Sequence, residues 1–75
     1  MNFNNNSTKI SEISFGMEGE VVFIEGRITD IYKTSGSLVF RINDGSEIRV
    51  VIFNPKEEFY TIRIGDYVRF HGVLS

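Results

Sequence analysis

The sequence contains no cysteine, no tryptophan and only one histidine. Without thiols the chain can form neither a disulfide nor a thiolate metal site, and one imidazole with carboxylates is a poor zinc ligand set. No run approaches the roughly 20 apolar residues that span a bilayer, and the N-terminus lacks the apolar region of a signal peptide. These absences predict a cytoplasmic protein that uses no metal, no cofactor and no membrane.

The chain also lacks a large excess of either charge, because acidic and basic residues nearly balance and leave a net charge of −2. This sum argues mildly against tight, nonspecific binding to a polyanion. The acidic residues, however, fall mostly at connections, whereas Arg27, Arg41, Arg49 and Arg69 fall inside segments with strand patterning. A chain of 75 residues forms at most one domain, and that domain can be acidic overall and still carry a basic face.

Alternating apolar and polar residues, the period of a strand with one buried face, indicate an all-β fold. The predicted strands are Glu20–Tyr32, Ser37–Asn43, Glu47–Phe53 and Tyr67–Leu74. The predicted inward residues are Val22, Ile24, Ile28, Leu38, Phe40, Ile42, Ile48, Val50, Ile52, Val68, Phe70 and Leu74. The outward positions on strands two and three are Val39, Arg41, Arg49, Val51 and Phe53.

Turn and bend signals separate these strands. Gly26 lies at an inward position, which predicts a bend that lets one strand serve two halves of a barrel. Beyond Gly26 the parity is expected to slip, because Ile31 is apolar in the opposite register. Lys33–Gly36 is predicted to be a turn, and Asp44–Gly45 is a strong hairpin signal because both residues tolerate positive φ.

Two further segments complete the predicted domain. Residues 1–9 are rich in asparagine and are predicted to be a flexible tail. Lys9–Ser14 is predicted to form one helical turn that closes an end of the barrel. Residues 55–60 are predicted to be a short helix, because Pro55 suits its first turn.

Three motifs combine glycine with alternating residues, Gly26–Ile28, Ser35–Asp44 and Gly65–Gly72, and a fourth, Ile48–Phe53, continues the alternation. In these motifs the chain resembles nucleic-acid-binding OB domains. They include the N-terminal domain of the exonuclease VII large subunit, the anticodon-binding domain of class II aminoacyl-tRNA synthetases and archaeal replication protein A modules.

The resemblance covers residues 10–75. It implies an OB-fold Greek-key β-barrel with a short helix between strands three and four. It also implies binding of single-stranded DNA or RNA. The fifth strand of that fold is missing from the sequence. Three sources of it remain open: the N-terminal segment, another copy of the chain in a homodimer, and a larger parent protein.

The outward face holds the candidate binding residues, because arginine neutralises phosphate and an exposed ring stacks on a base. The candidates are Phe23, Arg27, Tyr32, Lys33, Arg41, Arg49, Tyr67, Arg69 and His71. The alternative is an ordinary solvated face in which the arginines pair with Glu25, Asp30 or Glu47. In a second alternative, some of the rings pack under the helix or the N-terminal segment.

An enzyme is not predicted, because no recognisable motif places a nucleophile or carboxylate beside His71. The sequence therefore predicts non-catalytic binding of single-stranded nucleic acid by a module of a replication, repair or RNA-processing protein. The alternative prediction is a protein–protein interaction or oligomerisation module that uses open sheet edges.

Overall fold

The computed structural model describes residues 7–75, which form four strands and three short 3₁₀ helices. The strands are β1 (Val21–Thr34), β2 (Ser37–Asn43), β3 (Glu47–Phe53) and β4 (Tyr67–Val73). The helices are η1 (Ile10–Glu12), η2 (Phe15–Met17) and η3 (Glu57–Thr61). None of the described helices is long and apolar enough to cross a membrane.

The strands form one antiparallel sheet in the order β3–β2–β1–β4. The long strand β1 pairs with β4 over Val21–Arg27 and with β2 over Arg27–Thr34. The register shifts between Ile28 and Asp30, where β1 bulges. One strand therefore serves both halves of a curled sheet, as predicted for an OB barrel, and within residues 7–75 no strand lies between β3 and β4.

The parity slip expected in β1 is confirmed, and the bulge explains it. Before the bulge, Ile28 pairs with Ile42 on the inner face. After it, Ile31 pairs with Phe40 and packs partly against the core, although the two isoleucines differ in parity along the chain. The single extra residue, Thr29, re-aims the end of β1, as β-bulges do in small barrels.

The core is fully buried along the central strands β1 and β2 and partly exposed along the edge strands β3 and β4. Ile28, Phe40 and Ile42 retain at most 1% of their surface exposure. The inward residues of β3 and β4, such as Val50 and Phe70, are only partly buried. All the inward residues predicted from the alternation do pack in or against this core. The gap between β3 and β4 explains why the edge-strand members stay partly exposed.

Several sequence-based boundaries and exposures were wrong. Strand β1 continues to Thr34, so Lys33 belongs to the strand and not to a turn, because Thr34 still pairs with Ser37. Strand β4 ends at Val73, and the short helix is a 3₁₀ helix that begins at Glu57 rather than at residue 55. Val39 has the predicted outward parity yet is only 4% exposed, because its neighbours on β1 and β3 cover it.

The N-terminal segment packs along β1 and caps one end of the sheet. The Thr8 N–H donates to the Phe23 carbonyl (2.6 Å), and the Ile10 N–H donates to Asp44 Oδ2 (3.0 Å). Ile10 itself is buried and lies in η1, within the predicted Lys9–Ser14 turn. Because these contacts are to β1 and the β2–β3 turn, Thr8 and Ile10 do not fill the gap between β3 and β4. Residues 1–6 of the predicted tail lie outside the described residues.

Candidate nucleic-acid interface

Apart from Lys33, the predicted site residues lie on two parts of the outer surface, because β1 changes partner at Arg27. We call the outward side chains of β2, β3 and the end of β1 the β2–β3 panel: Asp30, Tyr32, Val39, Arg41, Arg49, Val51 and Phe53. We call the outward side chains of β4 and the start of β1 the β1–β4 panel: Phe23, Glu25, Arg27, Tyr67, Arg69 and His71.

At the centre of the β2–β3 panel, Arg41 and Arg49 are direct cross-strand partners. Like charges that face each other across a pair of strands destabilise the sheet. Within the described residues one carboxylate lies at ion-pair distance, since Arg41 Nη1 lies 3.2 Å from Glu47 Oε1. Within residues 7–75 Arg49 has no ion-pair partner. Asp30 also pairs with Arg41 across β1 and β2, so carboxylates flank Arg41, and Arg49 is the exposed guanidinium that no ion pair within these residues neutralises.

Glu47 is held in its charged form. The Thr29 hydroxyl donates to Glu47 Oε2 (2.8 Å), and this bond, followed by the bond from Arg41, lowers the pKa of Glu47 below its ordinary value. Thr29 reaches Glu47 because it is the residue that bulges out of β1. Glu47 therefore competes with any external anion for Arg41, but not for Arg49.

An apolar row borders the arginine pair on the same panel. Tyr32, Val39 and Val51 are neighbours across the three strands, and Tyr32 and Val51 are about two-fifths exposed (37% and 40%). Phe53, one row further, is 77% exposed. Its outward parity was visible in the sequence, but it was not among the predicted site residues. The arrangement sets flat apolar groups beside cationic ones.

Lys33 lies on neither panel: it pairs with the inward residue Leu38 near the end of β1, next to η3. Its Nζ lies 5.5 Å from the ring centroid of Tyr60, which is half-exposed. Both residues line a pocket of about 300 Å³ with Tyr32, Phe59 and other apolar side chains. Sequence reasoning missed Tyr60, because only the packing of η3 against the end of β1 brings it to Lys33.

Most polar side chains of the β1–β4 panel contact one another or nearby backbone. Arg27 Nη1 donates to the Gly65 carbonyl (2.9 Å), and the guanidinium lies 5.9 Å from the Tyr67 ring centroid. The Tyr67 hydroxyl donates to Glu25 Oε2 (3.0 Å), which raises the pKa of Tyr67. Hydrogen bonds from the Ser7 hydroxyl and then from Tyr67 lower the pKa of Glu25.

The remaining groups of this panel stack on one another. The Arg69 guanidinium lies 5.0 Å from the Phe23 ring centroid, and the rings of Phe23 and His71 are 5.4 Å apart. The predicted site residues thus divide: Tyr32, Arg41 and Arg49 share the β2–β3 panel, whereas Arg69 and its neighbours lie on the β1–β4 panel.

No group of three or more metal-ligating side chains occurs among the residues that the structure describes. No curated protein and no solved structure matches the chain significantly. A family model does match, under the description OB-fold nucleic acid binding domain (tRNA anti-codon), over residues 22–75. This match covers most of the chain and agrees with the strand order and the bent first strand. The chain therefore belongs to the family of OB-fold nucleic acid binding domains.

Proposed function

We propose that this domain binds single-stranded DNA or RNA across the β2–β3 panel. The observation that carries the proposal is the pair of facing guanidinium groups, Arg41 and Arg49, beside the apolar row that contains Tyr32. The pair suits the phosphates of the ligand, and the ring suits its bases.

The charge arrangement favours an anionic ligand. Two guanidinium groups in register repel each other, and a phosphate placed between them would be attracted to both and so offset that repulsion. Arg49 is the stronger candidate, because Glu47 already neutralises Arg41. An acidic domain with a few such contacts should bind modestly and lose affinity as salt rises. Two phosphate contacts on a single strand give a slope of log K against log salt of about −1.4.

The apolar groups favour a single strand over a duplex. Bases in a duplex stack on each other, so their faces cannot reach Tyr32 or Phe53. Unpaired bases can, and each stacked base contributes roughly 1–3 kcal/mol with little sequence preference. Phe53, which is 77% exposed, has the surface that such a contact requires.

We further propose that the domain binds without catalysis, as a module of a replication, repair or RNA-processing protein. The family match supports the binding role. The proposed biological context rests on the likeness to the OB domains of exonuclease VII, aminoacyl-tRNA synthetases and replication protein A.

The test is a titration of isotope-labelled protein with oligo-dT and oligo-U of 15 nucleotides, with a 15-base-pair duplex as control, at several salt concentrations. We expect amide shifts centred on Tyr32, Arg41, Arg49 and Val51, weaker binding at higher salt, and little binding of the duplex. The two oligomers separate DNA from RNA preference. Shifts confined to the β1–β4 panel, or affinity that is independent of salt, would contradict the proposal.

A further inference from the structure

A cleft of about 550 Å³ separates the two edge strands of the sheet. Strand β3 forms one bank and the C-terminal part of β4 forms the other, with Ile13, Val22 and Ile24 also contributing to the lining. A second hollow of about 460 Å³ adjoins it towards η3, and the two share Ile52, Phe70 and His71. The groove thus extends along both strands.

The backbone along both banks has open hydrogen-bonding positions. The Asn54 N–H donates to the Gly36 carbonyl, and the Leu74 N–H donates to the Glu20 carbonyl. Because hydrogen-bonded pairs alternate along antiparallel strands, the even-numbered residues of β3 and β4 bond to β2 and β1. The odd-numbered ones, such as Val51 and His71, direct their N–H and C=O groups into the groove. Within residues 7–75 no backbone partner reaches Val51 or His71 there.

The floor of the groove is apolar core that is left partly exposed. Ile48, Val50 and Ile52 of β3 face Phe70 of β4, and all of them are only partly buried. Their neighbours on β1 and β2 keep 7% exposure or less. An occupant that covers the floor must therefore present apolar side chains inward at every second residue, which is the spacing of a strand.

The rim of the groove carries two arginines along its middle. Arg49 borders it on β3, and Arg69 and His71 border it on β4. Acidic side chains occur towards its ends, with Glu47 at the start of β3 and Glu58 beside η3. A second copy that paired through the same banks would bring arginine towards arginine. An occupant with acidic outward side chains would instead meet opposite charge.

We propose that this groove accepts one extended strand from a partner polypeptide, about seven residues long, with apolar residues inward and acidic residues outward. The length follows from β3 and β4, each of seven residues. Since β3 and β4 run in opposite directions, the added strand is parallel to one bank and antiparallel to the other. Strand addition of this kind gains affinity from backbone hydrogen bonds and specificity from the alternate side chains. The proposal does not depend on nucleic-acid binding.

The test uses the full chain and a synthetic nine-residue probe in which glutamate alternates with valine or isoleucine. Its matched control carries lysine in place of each glutamate. We expect the acidic probe to slow hydrogen exchange at Arg49, Val51, Arg69 and His71, and to bind at least tenfold more tightly than the lysine probe. Equal binding of both probes, or no protection at these amides at millimolar probe, would overturn the proposal.

A variant tests the backbone contact directly. Val51→Pro removes an N–H that points into the groove and leaves the β2–β3 ladder intact, whereas Val51→Ala shortens the same side chain and keeps the N–H. We expect at least tenfold weaker probe binding by the proline variant than by the alanine variant. Equal affinities of two folded variants would overturn the proposal, and if the proline variant does not fold, the comparison of probes on the unmodified chain decides.

Two other occupants of the groove, a second copy of the chain and nucleic acid, predict different experimental results. Sedimentation velocity and hydrogen exchange without the probe would reveal a dimer that already protects these amides, which would assign the groove to a second copy. Protection of the same amides by oligo-dT, but not by the acidic probe, would assign it to nucleic acid. Either result would overturn the proposal.

Discussion

Gly26 of β1 lies against the backbone of Asn43 of β2 with no room for a side chain between them. A Cβ placed at Gly26 would lie 2.8 Å from the carbonyl carbon of Asn43 and 2.9 Å from Cγ2 of Ile42. Gly26 thus directly precedes Arg27, the residue at which β1 passes from pairing with β4 to pairing with β2.

Replacing Gly26 should therefore destabilise the fold. Gly26→Ala forces a methyl group against backbone atoms that cannot rotate away, and we expect a loss of about 1–3 kcal/mol in the free energy of unfolding. The matched control is Gly72→Ala, which is also in a strand but whose added Cβ meets nothing within 4 Å. That change should be neutral or stabilise the fold by up to about 1 kcal/mol. Equal losses in urea unfolding would contradict this account of the bend.

Reversing the charge of the facing arginines should weaken nucleic-acid binding. We expect the double variant Arg41→Glu with Arg49→Glu to bind oligo-dT or oligo-U at least tenfold more weakly while remaining folded, because both side chains are exposed. The control, Lys56→Glu with Arg63→Glu, changes the net charge equally at exposed positions outside the panel. Fluorescence anisotropy with a labelled oligomer measures both, and an equal loss in the two variants would show that only net charge matters.

Removing the competing carboxylate should have the opposite effect. Glu47→Gln abolishes the ion pair with Arg41 and frees that guanidinium for phosphate. We expect affinity for the oligomer to rise by up to about fivefold, since an exposed ion pair contributes at most about 1 kcal/mol. Glu57→Gln removes the same charge from η3 and serves as the control. Both variants are measured at a salt concentration where the control changes affinity little. Unchanged or weaker binding by Glu47→Gln under those conditions would argue against a phosphate at Arg41.

Asp44 should make the attachment of the N-terminal segment sensitive to acid. Its two carboxylate oxygens accept the N–H groups of Ile10 (3.0 Å) and Ser46 (3.1 Å), and these bonds lower its pKa below the ordinary 3.8. A lowered carboxyl pKa stabilises the fold above the ordinary value and ceases to do so as pH falls through the folded value. Asp44→Asn has one acceptor oxygen for two donors and should be less stable at pH 7.

The difference in unfolding free energy between the unmodified chain and Asp44→Asn should shrink below about pH 4, where Asp44 of the unfolded chain begins to take up a proton, and should be lost once pH falls below the folded value. Glu18→Gln, which removes the same charge at an exposed position before β1, is the control. Urea unfolding at pH 7 and pH 3 measures both. A difference that stays constant over this range would show that the charge of Asp44 does not hold Ile10.

Much of the fold was predictable because its signals are local. Strands β2 and β3 were predicted with the bounds that the structure has, since apolar residues at every second position on both sides of the Asp44–Gly45 turn fix their register. The end of β1 was not, because Lys33 and Thr34 extend the strand only through pairing with Leu38 and Ser37. Such pairing depends on residues elsewhere in the chain.

The division of the candidate site was harder to predict. Parity along each strand placed Arg27 and Arg41 on the outer surface, but it could not say that β1 turns from β4 to β2 at Arg27. The burial of Val39 likewise arises from Tyr32 and Val51 on neighbouring strands. Periodicity indicates whether a side chain points into or out of the sheet. Which part of the outer surface it reaches depends on how the sheet curves.

The pairing of β1 with both β2 and β4 also affects how the protein unfolds. Because Val21–Thr34 supplies one strand to each half of the sheet, neither half can melt and leave the other with a complete set of pairings. Thermal denaturation should therefore occur as a single cooperative transition, even though the barrel wall is open along one seam.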